Sequence, residues 1–422
     1  MSEWKKVKIG DVCKIVKGST GIARAEPGEY PLVVTAEERK SCSSYQFDCE
    51  AVCIPLVSSS GHGKKSLKNV HYQSGKFALG TILCAVIPND SNELDARFLR
   101  QYLLFYKDTI LVPLMKGAAN VSLSMKDIAT VEIPLPPIEK QRELSELFVL
   151  LQEKEKILNE EYEKQFEYTK QLRQNILQDA IEGRLTEEWR KNNPVVKGNP
   201  DFDAEALFEK IQEENGYKIS KIDKTEYGWC FSILGNFVKL KIGGTPSRNN
   251  PDYWKKEIPW VSSGEVANCE IYSTKEQISL TGSEKSAAKI LPKGTVLIAM
   301  IGQGKTRGQS AILRIEAATN QNVCAVLLPN KLIKSEYMYI YFCSRYEESR
   351  KVATGGNQAA LSGTKISQFL FSLPPLAEQA EIVRVVEAQL AKVDQLENQI
   401  AERETLTKRL MQSILKDVFR EV

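Results

Sequence analysis

The chain has 422 residues, 57 Lys+Arg against 54 Asp+Glu, 42% hydrophobic residues and a mean hydropathy of −0.30, which is enough apolar material for two or three globular domains. No stretch approaches the roughly 20 apolar residues of a membrane span, and the opening MSEWKKVKIG lacks the apolar run of a signal peptide, so a cytoplasmic protein with no membrane contact is expected. Nine cysteines without paired C-x-x-C spacing suit reduced thiols, and only two histidines leave little for histidine-based catalysis or a metal site.

In chain order, residues 1–135 alternate short β-type runs (VKIGDVCKIV, YPLVV, AVCIPLV) with Gly/Asn/Ser-rich turns and carry one helix-like segment, ELDARFLRQYLLFY. Residues 136–185 open on Pro-Pro and continue as a helix former with no internal proline. Its apolar positions, Leu144, Leu147, Leu151, Leu158, Tyr162, Leu172 and Ile176, mark a coiled-coil seam. Residues 186–228, punctuated by NNP, GNP and NGY around the amphipathic DAEALFEKIQEENG, are predicted to be a crossover linker rather than a domain. Residues 229–373 form a second β-rich block with the helix-like SEYMYIYFCSRYEES. Residues 374–422 repeat the helical arm, with Val386, Val393 and Ile400 every seven residues and Leu396, Leu410 and Ile414 between and beyond.

The halves are copies. Trp4-KKVKI-Gly10 returns as Trp229-CFSIL-Gly235, YPLVV as IPWVS, GHGKK (61–65) as GQGKT (302–306), CAVIPN as CAVLLPN, FLRQYL as YMYIYF, and PLPPIEKQ as SLPPLAEQ. Six landmarks in the same order identify a duplication, and an offset of 238 holds through both arms, predicting helices of equal length. From Ile138 to Gly183 there are 46 residues, or roughly 69 Å of helix. The expected fold is therefore mixed α/β (α+β): two globular blocks with a pseudo-two-fold repeat, linked by two long helices that pair as an antiparallel coiled coil and act as a strut between them.

Two motifs invite an enzymatic reading. AMIGQGKTRGQ (299–309) looks like a phosphate-binding loop, but Ala299 stands where the first glycine belongs, its twin has Lys65 where Ser or Thr is needed, and RGQSAILRI alternates like a strand where a helix should begin. NNPDYW (249–254) is similar to the N-P-P-[YF] segment of amino-methyltransferases, but Asp252 replaces the second proline and no F-x-G-x-G segment lies upstream. A self-contained nucleotide- or S-adenosylmethionine-binding enzyme is the alternative these motifs keep open. The charge favours a polyanion instead. Residues 1–135 hold 17 Lys+Arg against 14 Asp+Glu and residues 229–373 hold 18 against 10, whereas 136–185 (8 against 11), 186–228 (7 against 10) and 374–422 (7 against 9) are acidic.

The segments GGTPSRNNPDYWKKEIPWVSSGEV (243–266), YPLVVTAEERKSCSSYQFD (30–48), IPLVSSSGHGKKSLKNVHYQSGKFALG (54–80) and the helix starts PLPPIEKQ and LPPLAEQAEIV are similar to those of the specificity (S) subunit of type I restriction-modification systems, over essentially the whole chain. That resemblance implies two target-recognition domains, each reading one half of a split, asymmetric double-stranded DNA target. It implies conserved helical regions that hold two methyltransferase (M) subunits, with restriction (R) subunits joining to cut DNA. S-adenosylmethionine then belongs to M, ATP and Mg to R, and no cofactor or catalytic residue to this chain. Divergence between the blocks predicts unlike half-sites. The residues expected on DNA are Ser59, Ser60, His62, Lys64, Lys65 and Asn120 in the first block and Thr245, Ser247, Arg248, Asn249, Tyr253, Trp254, Gln303, Lys305, Arg307, Asn357 and Gln358 in the second; Tyr253 and Trp254 are equally consistent with anchoring their loop.

Overall fold

The computed structural model describes residues 4–60, 63–216, 219, 222–302, 304–329, 331–352 and 360–420, which divide into one unit of residues 1–164 with 401–422 and a second of residues 165–400.

In the first unit, Ala51–Pro55 is buried along its whole length. A continuous apolar run can be a central strand only where both faces are covered, and here they are. Its antiparallel sheet has the order Cys13–Lys17, Leu83–Pro88, Ala51–Pro55, His71–Gln73. With side chains alternating, Val52 and Ile54 pack with Phe98, Leu99 and Leu103 of the helix Ala96–Ile110. Ala51 and Cys53 pack on the other side with Val33, Phe47, Phe77 and Leu79. All four come from a second sheet, in which Tyr30–Val33 runs parallel to Lys76–Leu79 between the edge strands Lys40–Cys42 and Phe47–Asp48. Each fully buried side chain of this size contributes roughly 1.5–3 kcal/mol.

The second unit repeats the scheme. Lys239–Ile242, Val323–Leu327, Val296–Ala299 and Ser310–Leu313 take the places of the four strands above, and Cys269–Ile271 adds a parallel edge strand. The register preserves the duplication: Lys17 faces Cys84 as Ile242 faces Cys324, and the parallel pair Leu32 and Ala78 becomes Trp260 and Ala318. The aromatic run at 337–342 belongs to the helix Ser335–Ser344, from which the Tyr337 and Tyr341 hydroxyls, one turn apart, donate to the carbonyls of Ser372 and Leu370 at 2.8 Å each.

The long arms are the helices Ile138–Ile181 (44 residues) and Leu376–Arg420 (45 residues). Each is joined to its block by a fully buried glutamine that the helix-start motif supplies. Gln141 accepts from the Asp95 N–H at 2.8 Å and donates to the carbonyls of Glu93 and Pro136 at 2.8 Å. Gln379 accepts from the Lys334 N–H at 2.9 Å and donates to the Pro374 carbonyl at 3.0 Å. One amide thus satisfies both the start of the block's helix and the Pro-Pro turn of the arm, where buried backbone groups need a partner.

Within each unit the arms run antiparallel. In the second, Arg173 pairs with Asp394 at 2.6 Å and Glu397 at 3.2 Å, while residues beyond the end of the same helix reach back to Glu378. In the first, the Tyr162 hydroxyl lies 2.8 Å from that of Thr407, and Leu144 and Phe148 share a core with Leu415. Leu144, Ile176, Val386, Val393 and Ile400 are buried, and Leu151, Leu158 and Ile414 are half-buried. Leu172, Leu396 and Leu410, expected in the seam, are instead exposed by 43, 44 and 60%. On a helix of 3.6 residues per turn, positions i+3 and i+4 diverge by about 100°. The inward flank beside Val393 and Ile400 is i+4, occupied by Glu397 and Glu404, so the i+3 leucines Leu396 and, beyond Thr407, Leu410 face outward. On the first arm Arg173 takes the inward place next to Leu172.

The stretch 186–228 is more than a tether. Its helix Ala204–Asn215 buries Leu207, Phe208 and Ile211 in the second unit's main core. The carbonyls of Pro200 and Asp201 accept the first N–H groups of the second arm, from Leu376 and Ala377, at 3.1 Å each. Gly183 ends the first arm at φ 72°, where an added Cβ would lie 3.1–3.2 Å from Arg190, Tyr227 and Trp229. Beside it, Glu378 (1% exposed) accepts from Thr186 Oγ1 at 2.7 Å, Arg190 Nη1 at 2.5 Å and Trp229 Nε1 at 2.7 Å.

Replacing Gln379 with leucine removes the partner of two backbone groups, the Lys334 N–H at the start of the block's helix and the Pro374 carbonyl at the arm start. It is expected to cost roughly 2–4 kcal/mol, read as a lower urea midpoint for the second unit, whereas Gln→Leu at the exposed Gln399 leaves the midpoint unchanged.

Candidate nucleic-acid interface

The loop 300–309 joins Val296–Ala299 to Ser310–Leu313, and the two strands pair antiparallel. It is a hairpin connection, and a phosphate-binding loop needs a helix where Ser310–Leu313 stands. The loop is held from below by Tyr346 and Arg350. The Tyr346 hydroxyl donates to the Lys305 carbonyl at 2.7 Å, and Arg350 Nη1 donates to the carbonyls of Gly304 at 2.7 Å and Arg307 at 3.4 Å. Gly308 closes the loop at φ 86°, donating to the Ala299 carbonyl at 2.9 Å. With the carbonyls of Gly304, Lys305 and Arg307 occupied, the loop presents the exposed Lys305 side chain and the half-buried Arg307.

The segment 243–254 is equally constrained. An added Cβ at Gly243 would fall 2.2 Å from the Thr319 carbonyl, and the Gly244 carbonyl accepts from Trp260 Nε1 at 3.0 Å, so the paired glycines exist for close backbone approach. Thr245 donates to Gln321, and the Met300 N–H donates to the Asn322 carbonyl at 2.8 Å, so the turn 320–322 touches both loops. Arg248 lies flat on Trp254, 3.5 Å from its ring centroid, and pairs with Glu276, its Nη2 at 2.9 Å. These hydrogen bonds hold the Glu276 carboxyl below its ordinary pKa. Trp254 stands edge-on to Trp260 at 5.2 Å and donates to the Ser247 carbonyl at 3.2 Å, which makes it the anchor of its loop. Tyr253 is half-buried, its carbonyl accepting from the Ser279 N–H at 2.9 Å. Ser247 and Asn249 are exposed.

In the first block, Ser59 and Ser60, expected on DNA, use their hydroxyls within the loop. Ser59 Oγ accepts from the Lys68 N–H at 2.9 Å, and Ser60 Oγ lies 2.7 Å from Ser66 Oγ. Short hydroxyls in a tight loop satisfy the nearest backbone and one another before they reach a ligand. Lys64 and Lys65 are exposed beside them. The Ser58 N–H donates to the Val121 carbonyl at 3.0 Å, and Gly63, at φ 73°, leaves no room for a Cβ against the Ala118 carbonyl 2.3 Å away. The exposed Asn120 therefore shares a surface with these lysines. In the second block the Leu361 N–H reaches the Met300 carbonyl at 3.0 Å, placing the stretch that follows residue 359 beside the Lys305 loop. His62, Gln303, Asn357 and Gln358 lie outside the described residues.

Sequence reasoning passed over Tyr346, Arg350 and Gln321. The first two sit in a helix about 40 positions from the loop they brace, and Gln321 reads as ordinary turn chemistry; only the contact reveals them. Among the described residues there is no grouping of metal ligands, and no helix is long and apolar enough to cross a membrane. Removing the brace with Arg350→Ala is expected to speed amide exchange in the peptide 300–309 by about tenfold or more while exchange in Val323–Leu327 stays as it was.

Comparison with known proteins places this architecture. The family model described as type I restriction modification DNA specificity domain matches residues 1–166 and again 226–403, once per copy of the repeat. The specificity subunit of the type I restriction enzyme EcoR124I/EcoR124II of Escherichia coli is 30% identical over 176 residues, 41% of this chain and 42% of that one. The EcoKI specificity subunit of Escherichia coli strain K12 is 26% identical over 318 residues, 72% of this chain and 61% of that one. The matched stretches thus span less than two thirds of either relative. The crystal structure of the HsdS subunit from Thermoanaerobacter tengcongensis aligns with a TM-score of 0.58 at 17% identity, covering 100% of this chain and 97% of that one, and so shares the fold. With its family model matched twice and its duplicated blocks and arms in place, the chain belongs to the type I restriction modification DNA specificity domain family.

Proposed function

We propose that the chain is the DNA-recognition subunit of a type I restriction-modification enzyme, binding a bipartite, asymmetric double-stranded target with one block per half-site. The observation that carries this is the repeated pattern of a cationic loop at a strand end, Lys64 and Lys65 in one block and Lys305 and Arg307 in the other, in a chain whose net positive charge lies in the blocks. Lysine and arginine on a fixed backbone bind phosphates, while neighbouring polar side chains such as Asn249 and Asn120 suit base edges.

On this reading the chain has no catalytic residue of its own and works in the cytoplasm. Methyltransferase subunits bring S-adenosylmethionine, and restriction subunits bring ATP and Mg. The arms offer those partners an apolar surface. Val149, Leu150, Ile157, Leu406 and Leu410 in the first unit, and Tyr168, Leu172 and Leu396 in the second, are all at least 43% exposed. Large apolar side chains repeated along exposed helices favour burial against partner helices. On the same reading the length of the arms determines the gap between half-sites.

Affinity for duplex DNA is expected to fall linearly with log salt, and Lys305→Ala to reduce the slope by about one while weakening all sequences alike. A slope of zero for the unaltered chain, or heat on titration with ATP or S-adenosylmethionine alone, contradicts the assignment. Inserting seven residues into both arms lengthens each helix by about 10.5 Å. Hydroxyl-radical footprints of the complex with its methyltransferase should then show the two protected segments moved apart by on the order of three base pairs, with both segments otherwise unchanged.

A further inference from the structure

Three arginines of the first block converge where DNA-loop arguments do not reach. Arg39 follows Tyr30–Val33, Arg97 and Arg100 lie on successive turns of the helix Ala96–Ile110, and all three line a cavity of about 370 Å³ together with His71 and Tyr72. Among the described residues, every hydrogen bond of Arg39 and Arg100 goes to a neutral group. Arg39 donates to Gln73 Oε1 at 3.1 Å, the Glu37 carbonyl at 2.8 Å, His71 Nδ1 at 3.1 Å and the Tyr72 carbonyl at 3.2 Å; Arg100 donates to the Val70 carbonyl at 3.0 Å. By contrast Arg190, Arg248 and Arg314 each hold a carboxylate. The one carboxylate lining the cavity, on the exposed Glu37, forms no ion pair with them; Arg39 meets that residue through its backbone.

Burial lowers the pKa values of Arg39 and Arg100, with repulsion from Arg39 adding to the effect at Arg100, and the Glu37 carboxylate offsets this only in part at both. His71 is pushed down to about 4, first by burial and then by Arg39 and Arg100, so it is neutral near pH 7 and accepts from Arg39 through Nδ1. Partly buried cations that no carboxylate meets at ion-pair distance are costly, and a bound anion relieves that cost. The fold does not demand them. The buried glutamines fix Asp95 and Lys334 as equivalent helix starts, so Arg97 and Arg100 correspond to Glu336 and Tyr339 in the second block. A planar guanidinium matches a phosphoryl group with paired hydrogen bonds, and three surround a space large enough for one.

We propose that the cavity between Arg39, Arg97 and Arg100 is a binding site for a phosphoryl anion, supplied either free in solution or by the backbone of bound DNA. The test titrates the full chain with inorganic phosphate in a calorimeter against chloride at equal ionic strength, comparing Arg100→Gln and the more exposed Arg97→Gln. Saturable binding of phosphate that Arg100→Gln weakens by about tenfold or more, and Arg97→Gln by less, is expected. If the backbone is the source, duplex DNA displaces phosphate and Arg100→Gln lowers the salt slope of DNA binding by about one; if the source is free phosphate, the anion stays bound in the presence of DNA and the slope is unchanged. Two results overturn the proposal. One is phosphate no better bound than chloride together with an unaltered salt slope for Arg100→Gln; the other is equal phosphate binding by the unaltered chain and both variants. The phosphate titration involves no nucleic acid, so it can fail while the chain still binds DNA, and succeed where it does not.

Discussion

One buried amide in each half governs how the rest of the chain is used. Gln141 and Gln379 each tie the first turn of a long arm to the first turn of a helix in the adjoining block, through backbone groups of both. A helix emerging from a domain on a two-proline turn could swing; with its start locked into that domain's own hydrogen bonding it moves as part of the domain. Loop geometry at the strand ends and the direction of the adjoining arm are thereby fixed together within each unit.

The arms are less uniform than a leucine zipper. Their contacts include Tyr162 with Thr407 in one unit and Arg173 with Asp394 and Glu397 in the other, while several leucines look outward. Polar contacts at the seam favour one register at the expense of stability. Outward leucines leave apolar surface exposed. The two halves also differ at their arm starts. Glu378 gathers Thr186, Arg190 and Trp229, whereas the matching position in the first half is Lys140, which pairs with its helical neighbour Glu143. That node exists because the connecting stretch folds into the second unit, where its helix Ala204–Asn215 is part of the core.

Much of the fold was legible because duplication exposes structure. The repeated landmarks gave the order of strands and helices, and the 238 offset reappears in the two glutamines and in arms of 44 and 45 residues. The alternation after Lys305 matches the strand Ser310–Leu313, which stands where a phosphate-binding loop would need a helix. The reading was weaker where geometry rather than pattern decides. Periodicity shows that Leu396 and Leu410 lie near the seam but not on which side, because a rotation of the helix by a fraction of a turn exchanges i+3 for i+4. Loop composition marks Ser59 and Ser60 as polar without revealing that their hydroxyls are spent within the loop. Nor does sequence show that Arg248 is stacked on Trp254 and paired with Glu276.

The central proposal is that the chain reads two unlike half-sites at one fixed spacing. Single-molecule methylome sequencing of cells carrying this chain with its methyltransferase partner tests it most directly. The account predicts a modified motif with two defined, dissimilar halves and one invariant gap of unspecified bases. A single contiguous motif, two identical halves, or a gap that varies from site to site contradicts it.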